Sequence, residues 1–127
     1  MEPSPDWIFA TSDYQGTLVV LSHATWHAKA GNATPGRHPE IREYLEDIRS
    51  TIESPDLVFQ SSRDERARLF YKLDVGWGDF QGKHLVVVVK YLEEAQGRRG
   101  YVGTLYLSRS IYARGVQVWS KMENSPQ

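Results

Sequence analysis

At 127 residues, with 40% hydrophobic and 24% charged side chains, the chain has the size and composition of one globular domain built around one core. It contains no cysteine, which excludes disulfides, thiolate nucleophiles and thiolate-bound zinc, and suits a reducing cytoplasmic setting. A formal net charge of −1 offers no global attraction for nucleic acid, and the longest apolar runs, 18–21 and 85–89, fall far short of the roughly 20 residues of a membrane span.

Residues 1–16 are rich in Pro, Ser, Asp and Gly and lack the basic start and apolar stretch of a secretory signal. Trp7, Ile8 and Phe9 are too apolar for a free tail, so this stretch is expected as a docked N-terminal extension. Residues 17–21 are apolar and β-branched after Gly16 and suit a buried strand or a capping segment. Turn formers crowd 31–36 and predict a loop. Pro39 fits the first position of a helix, with Glu40 and Glu43 placing negative charge in its opening turns. Ile41, Tyr44, Leu45, Ile48 and Ile52 recur at helical spacing, while Arg42, Glu46, Asp47 and Arg49 take the other face. The spacing predicts one amphipathic helix over about 39–53, ended by Ser54-Pro55, since the residue before a proline is driven out of helical conformation.

Four strands follow in the pattern, over 57–60, 67–75, 84–92 and 100–109, joined by linkers holding Gly76, Gly78, Gly82 and Gly97. Short connections cannot make the crossovers that parallel neighbours need, so an antiparallel meander is expected. The expected fold is therefore α+β: one main amphipathic helix on a four-stranded antiparallel meander, with an N-terminal helical or capping segment. Residues 110–121 are left between an edge strand and coil. The core domain is expected over 17–121, with a disordered tail at 122–127.

Arg37-His38-Pro39-Glu40 stands at the junction of loop and helix. A histidine there faces unpaired amides and the positive end of the helix dipole, which disfavours imidazolium and leaves the ring available as a base near neutral pH. Arg37 would act the same way and could grip a phosphate; the alternative is a capping histidine beside a solvated arginine. His23 and His27 are four apart, a metal-ligand spacing, but the segment lacks the glutamate of the zinc-protease pattern. No metal and no cofactor is expected, and His27 is read instead as a helper near His38. On the strands, Lys90 ends a row of valines, and adjacent strands could bring Lys90 or Lys72 near Thr104 and Tyr106, setting cations beside hydroxyls. Arg98, Arg99, Arg109, Arg114 and Lys121 carry all the charge between residues 95 and 121, either as a local basic face or as ordinary solubilising charge. Phosphate-binding glycine motifs and a nucleophile elbow are absent. RNA cleavage needs only a base, cations or hydroxyls around the phosphate, and an acid, and the chain has that set.

Taken in order, Trp26-His27, Arg37-His38-Pro39-Glu40-Ile41, Thr51-Ile52-Glu53-Ser54-Pro55-Asp56, Phe70-Tyr71-Lys72, Val86-Val87-Val88-Val89-Lys90 and Val102-Gly103-Thr104-Leu105-Tyr106 resemble the phage-associated branch of the barnase/EndoU/colicin/RelE-like nuclease superfamily. The resemblance implies a helix packed on a four-stranded antiparallel sheet and a metal-independent endoribonuclease, toxin-like or phage-associated, acting on RNA such as tRNA. It implies His38 as principal acid/base, Lys90 and Arg37 as phosphate ligands, and Thr104 and Tyr106 as polar partners on the facing strand; joined to the reading of the residues themselves, this makes His38, Lys90, Thr104 and Tyr106 the catalytic candidates and Arg37, His27, Lys72 and Arg109 the candidate substrate contacts. An antitoxin or immunity-type protein would be the partner. The competing reading is a catalytically silent RNA- or protein-binding module on the same fold, using the C-terminal arginines together with the chain's four tryptophans and seven tyrosines.

Overall fold

The structure, a computed structural model, describes residues 7–30, 39–111 and 115–121. In chain order these form β1 (Trp7–Ser12), β2 (Leu18–Ser22), α1 (His23–Ala30), a 3-10 helix (Pro39–Tyr44), α2 (Leu45–Glu53), β3 (Leu57–Gln60), β4 (Ala67–Lys72), a 3-10 turn (Gly78–Phe80), β5 (His84–Glu94), β6 (Gly97–Ser108) and β7 (Val116–Ser120). The seven strands make one sheet in the order β1-β2-β6-β5-β4-β3-β7. The α+β class stands, but the expected four-stranded antiparallel meander under one main helix is corrected to a seven-stranded mixed sheet carrying two helices.

The physical reason lies in which strands the connection rule constrains. From β3 to β6 each strand follows its neighbour through a short link, and all these pairs are antiparallel as expected. Strand β2 is separated from β6 by the helices and three strands, so the chain has ample length for a parallel pairing, Leu18 opposite Arg99 and Val20 opposite Tyr101. The stretch 1–16, expected as a docked extension, supplies β1, hairpinned to β2 through a turn in which Gly16 takes φ 86°. Strand β7 closes the other edge by pairing with β3. The expected disordered tail at 122–127 lies outside the described residues.

The single helix expected over 39–53 is divided. Ile41 and Tyr44 sit i, i+3, the spacing that a 3-10 helix stacks on one side, and both are buried. Tyr44 then leaves helical geometry at φ −114°, ψ 20°, and α2 begins. Ile48, Thr51 and Ile52 are wholly buried, and the Thr51 hydroxyl donates to the Asp47 carbonyl at 2.6 Å, so its polar atom is not stranded. The helix stops at Glu53, before Pro55, as the sequence requires.

Both helices lie on one face of the sheet. Ile48 and Ile52 share a core with Val58, Phe70, Leu85, Val87, Val89 and Leu105, and Trp26 of α1 packs against it. Phe59, Leu69, Tyr71 and Val86 point the other way and form a second cluster with Leu57, Val88 and Tyr106. No described helix covers that second face, which is called the open face below, although Phe59, Leu69, Tyr71 and Val86 on it are themselves at most 8% exposed. Among the described residues, no helix is long and apolar enough to cross a membrane.

Candidate functional site

Alternation along β5 sends Leu85, Val87 and Val89 into the helix-side core and Val86, Val88 and Lys90 to the open face. Pairing carries this to β6: Lys90 stands opposite Tyr101, Val88 opposite Thr104, and Val86 opposite Tyr106. Strict alternation from Tyr101 would put Thr104 and Tyr106 on the helix side. The register shifts between Val88 and Val89, so that Val89 meets Val102 and Gly103 is the extra residue. This bulge resets the alternation. Val102 therefore joins the helix-side core with Leu105 and Leu107, while Tyr101, Thr104 and Tyr106 share the open face with Lys90. Unbroken alternation along β6 would instead have grouped Val102 with Thr104 and Tyr106.

Lys90, Thr104 and Tyr106, read from the sequence as one set, are brought to one face. Lys90 is ion-paired: its Nζ lies 3.2 Å from Oδ2 of Asp64, in the turn between β3 and β4. The Arg66 backbone N–H donates to the same carboxylate at 2.9 Å. That hydrogen bond first, and the Lys90 ammonium second, hold the Asp64 carboxyl below the usual range. Further along the face the Tyr101 hydroxyl donates to Glu94 at 2.6 Å, and Arg99 lies 3.5 Å from the same carboxylate. The Glu94 bond raises Tyr101 above the ordinary phenol range, burial adding to it. The open face thus offers the Lys90 ammonium, the Thr104 hydroxyl and the Tyr101 and Tyr106 phenols over a buried floor of Leu69, Tyr71 and Val86.

The remaining sequence candidates disperse. Lys72 pairs with Leu85 on the helix side and donates to the Ser54 carbonyl at 2.9 Å, where it closes the exit of α2. It does not meet Thr104 or Tyr106, because neighbouring residues on a strand face opposite ways and Lys72 shares the face of Phe70, which lies in the helix-side core. His27 is exposed on α1, its ring centroid 6.4 Å from that of His23, in the helix layer. No group of three or more His, Asp or Glu that could hold a metal is found among the described residues. Arg109 is exposed just past the end of β6. Arg37 and His38 lie outside the described residues; the 3-10 helix that follows them anchors Ile41 and Tyr44 in the helix-side core.

A second polar constellation escaped the sequence reading. Asp13, in the β1–β2 turn, is 6% exposed and accepts the Tyr91 hydroxyl at 2.6 Å together with the backbone N–H groups of Gln15 and Thr17. Arg68 donates to the Tyr14 hydroxyl at 3.1 Å, and the guanidiniums of Arg68 and Arg98 lie 5.9 and 4.6 Å from the Tyr91 ring centroid. Burial, reinforced by Asp13, pushes the Tyr91 phenol far above its usual range. Beside it is an open cavity of about 470 Å³ whose lining includes Arg66, Tyr91, Glu93 and Arg98. The one sequence signal was Asp13 two residues before Gln15 and four before Thr17, the spacing of an Asx turn. Its partner, 78 residues away, carried none. Comparison of the chain with protein-family models, with curated proteins and with solved structures found no match.

Proposed function

We propose that the protein is a metal-independent endoribonuclease whose substrate lies across the open face of the sheet. The observation that carries this reading is the placement of Lys90, Thr104 and Tyr106 on one face across two adjacent strands, the Gly103 bulge being what brings them into line. In the proposed reaction a general base takes the proton of an RNA 2′-hydroxyl, and the 2′-oxygen attacks the adjacent phosphorus; the sequence assigns that base to His38, whereas the 3-10 helix directly after it packs on the helix side of the sheet, opposite Lys90, Thr104 and Tyr106, so the His38→Ala variant decides the assignment. The P–O5′ bond breaks, leaving a 2′,3′-cyclic phosphate, and a protonated side chain returns a proton to the departing 5′-oxygen. Lys90 and the Thr104 hydroxyl stabilise the charge that builds on the phosphorane oxygens. Tyr106, which is partly exposed, lends the face aromatic surface of the kind on which bases stack. The Lys90–Asp64 pair is no obstacle: the two side chains are 42% and 34% exposed, and such pairs contribute about 0–1 kcal/mol, so a phosphate can displace the carboxylate. The ordered sequence blocks that resemble the barnase/EndoU/colicin/RelE-like superfamily support the same reading.

The test is incubation of the wild type and of His38→Ala, Lys90→Met and Thr104→Val variants with total RNA and with tRNA in excess EDTA. Discrete fragments from the wild type, lost in His38→Ala and reduced about 10²-fold or more in Lys90→Met, are the expected result. A folded His38→Ala or Lys90→Met variant that cuts at the wild-type rate would refute the assignment. The exposed guanidiniums of Arg98 and Arg109 support, as the second reading, a silent RNA- or protein-binding module on the same fold. It predicts salt-dependent RNA binding with no cleavage by any form.

A further inference from the structure

We infer that the loop between β4 and β5, together with the end of the 3-10 helix, forms a receptor for an arginine side chain of a partner protein. Tyr44, Trp77 and Phe80 bring three aromatic rings to a cavity of about 280 Å³, and its remaining lining is Glu43, Gly78 and Asp79. Tyr44 is wholly buried in the helix-side core, whereas Trp77 leaves 59% of its surface in solvent; their ring centroids are 6.0 Å apart. That exposure is built into the loop. The Trp77 backbone N–H donates to the Tyr44 hydroxyl at 3.2 Å, Phe80 N–H to the Trp77 carbonyl at 3.0 Å, and Gly76 N–H to the Lys83 carbonyl at 3.0 Å. Any side chain at Gly76 would put its Cβ 1.8 Å from the Phe80 carbonyl oxygen, and Gly78 takes φ +61°. The sequence spends two glycines and a buried phenol on holding an indole outward.

The chemistry of the lining selects the ligand. Ring faces carry partial negative charge, and Glu43 and Asp79 add two exposed carboxylates with no hydrogen-bond or ion-pair partner among the described residues. A phosphate would be repelled, so this is not an extension of the RNA surface, and it lies on the helix side while Lys90 lies on the open face. A guanidinium fits better than an ammonium. It is planar and stacks on an indole, its fork of donors meets carboxylates in pairs, and it sheds water more readily. Lys83 already places its Nζ 5.1 Å from the Phe80 centroid, although Lys83 does not line the cavity.

The test titrates the protein with N-acetyl-arginine methylamide, its neutral citrulline counterpart, the lysine analogue and tetramethylammonium, following by NMR the Trp77 indole N–H and the backbone amides of Glu43, Gly78 and Asp79, which remain observable when Trp77 is replaced. Saturable shifts with the arginine compound, Kd on the order of 1–10 mM for a lone side chain, and at least about tenfold weaker response to citrulline are expected. The response should vanish in Trp77→Ala and fall in a Glu43→Gln/Asp79→Asn variant, both changes being at exposed positions. Equal shifts with citrulline would reduce the site to apolar stacking and overturn the inference. So would a response to tetramethylammonium alone, shifts that survive Trp77→Ala, or no saturable response to any probe. None of these outcomes bears on RNA cleavage, so the two readings fail separately.

Discussion

Replacing Tyr91 by phenylalanine isolates one hydrogen bond in a place where nothing else needs to change. The ring is 4% exposed and its packing in the helix-side core is kept, so the loss is confined to the hydroxyl that donates to Asp13. Asp13 retains the Gln15 and Thr17 amides on its other oxygen, but Oδ2 loses the buried donor that satisfies it. Hydrogen bonds to a charged group contribute about 1.5–3 kcal/mol, and leaving the charged partner buried and unmatched puts the expected destabilisation near 2 kcal/mol. With a urea m-value of about 1.5 kcal/mol per M for a domain of this size, the midpoint should fall by roughly 1.3 M at neutral pH. Asp13→Asn in a double-mutant cycle should recover most of that difference as coupling. The same pair sets an alkaline signature. A phenol whose folded pKa is raised stays protonated after its unfolded counterpart has ionised, so its stabilisation is intact below about pH 10 and declines as pH rises above that value. Wild-type stability should therefore fall more steeply between about pH 10 and 11 than that of Tyr91→Phe. A midpoint change below about 0.3 M, or parallel alkaline profiles, would show that the bond closes no buried carboxylate and refute the reasoning.

Gly100→Ala would place a Cβ 2.8 Å from Val89 Cγ1 and 2.9 Å from Val19 Cγ2, wedging β6 from β5 and β2, whereas at Gly103 the nearest atom is 3.9 Å away. Thermal unfolding should show a loss of about 1–3 kcal/mol for Gly100→Ala and under about 0.5 kcal/mol for Gly103→Ala. Ile48→Ala empties a wholly buried site between α2 and the sheet and should cost about 2–5 kcal/mol in denaturant titration. Lys90→Met should leave stability within about 0.5 kcal/mol of wild type, because the ion pair it breaks is at the surface. The Asp64 carboxyl, depressed chiefly by the Arg66 amide and then by Lys90, contributes stability that is present above about pH 4 and lost as pH falls through its folded value. In Lys90→Met its NMR titration should move upward without reaching the ordinary range, since the amide bond remains.

Features that depend on near neighbours are written in the order of residues alone. The helix exit at Ser54-Pro55, the apolar face of Ile48 and Ile52, the succession β3 to β6 and the valine alternation that aims Lys90 outward all follow from backbone sterics and periods of a few residues. Features that join positions far apart in the chain emerge only on folding: the parallel seam of β2 on β6, the pairing of β1 and β7 at the two edges of the sheet, and the buried bond from Tyr91 to Asp13. No local pattern encodes those, because a strand's free edge pairs with whichever partner the whole core brings beside it. The bulge at Gly103 lies between the two. A single extra residue in β6 carries almost no local signature, yet side chains alternate with a period of two, so it decides which face Thr104 and Tyr106 share and separates them from Lys72.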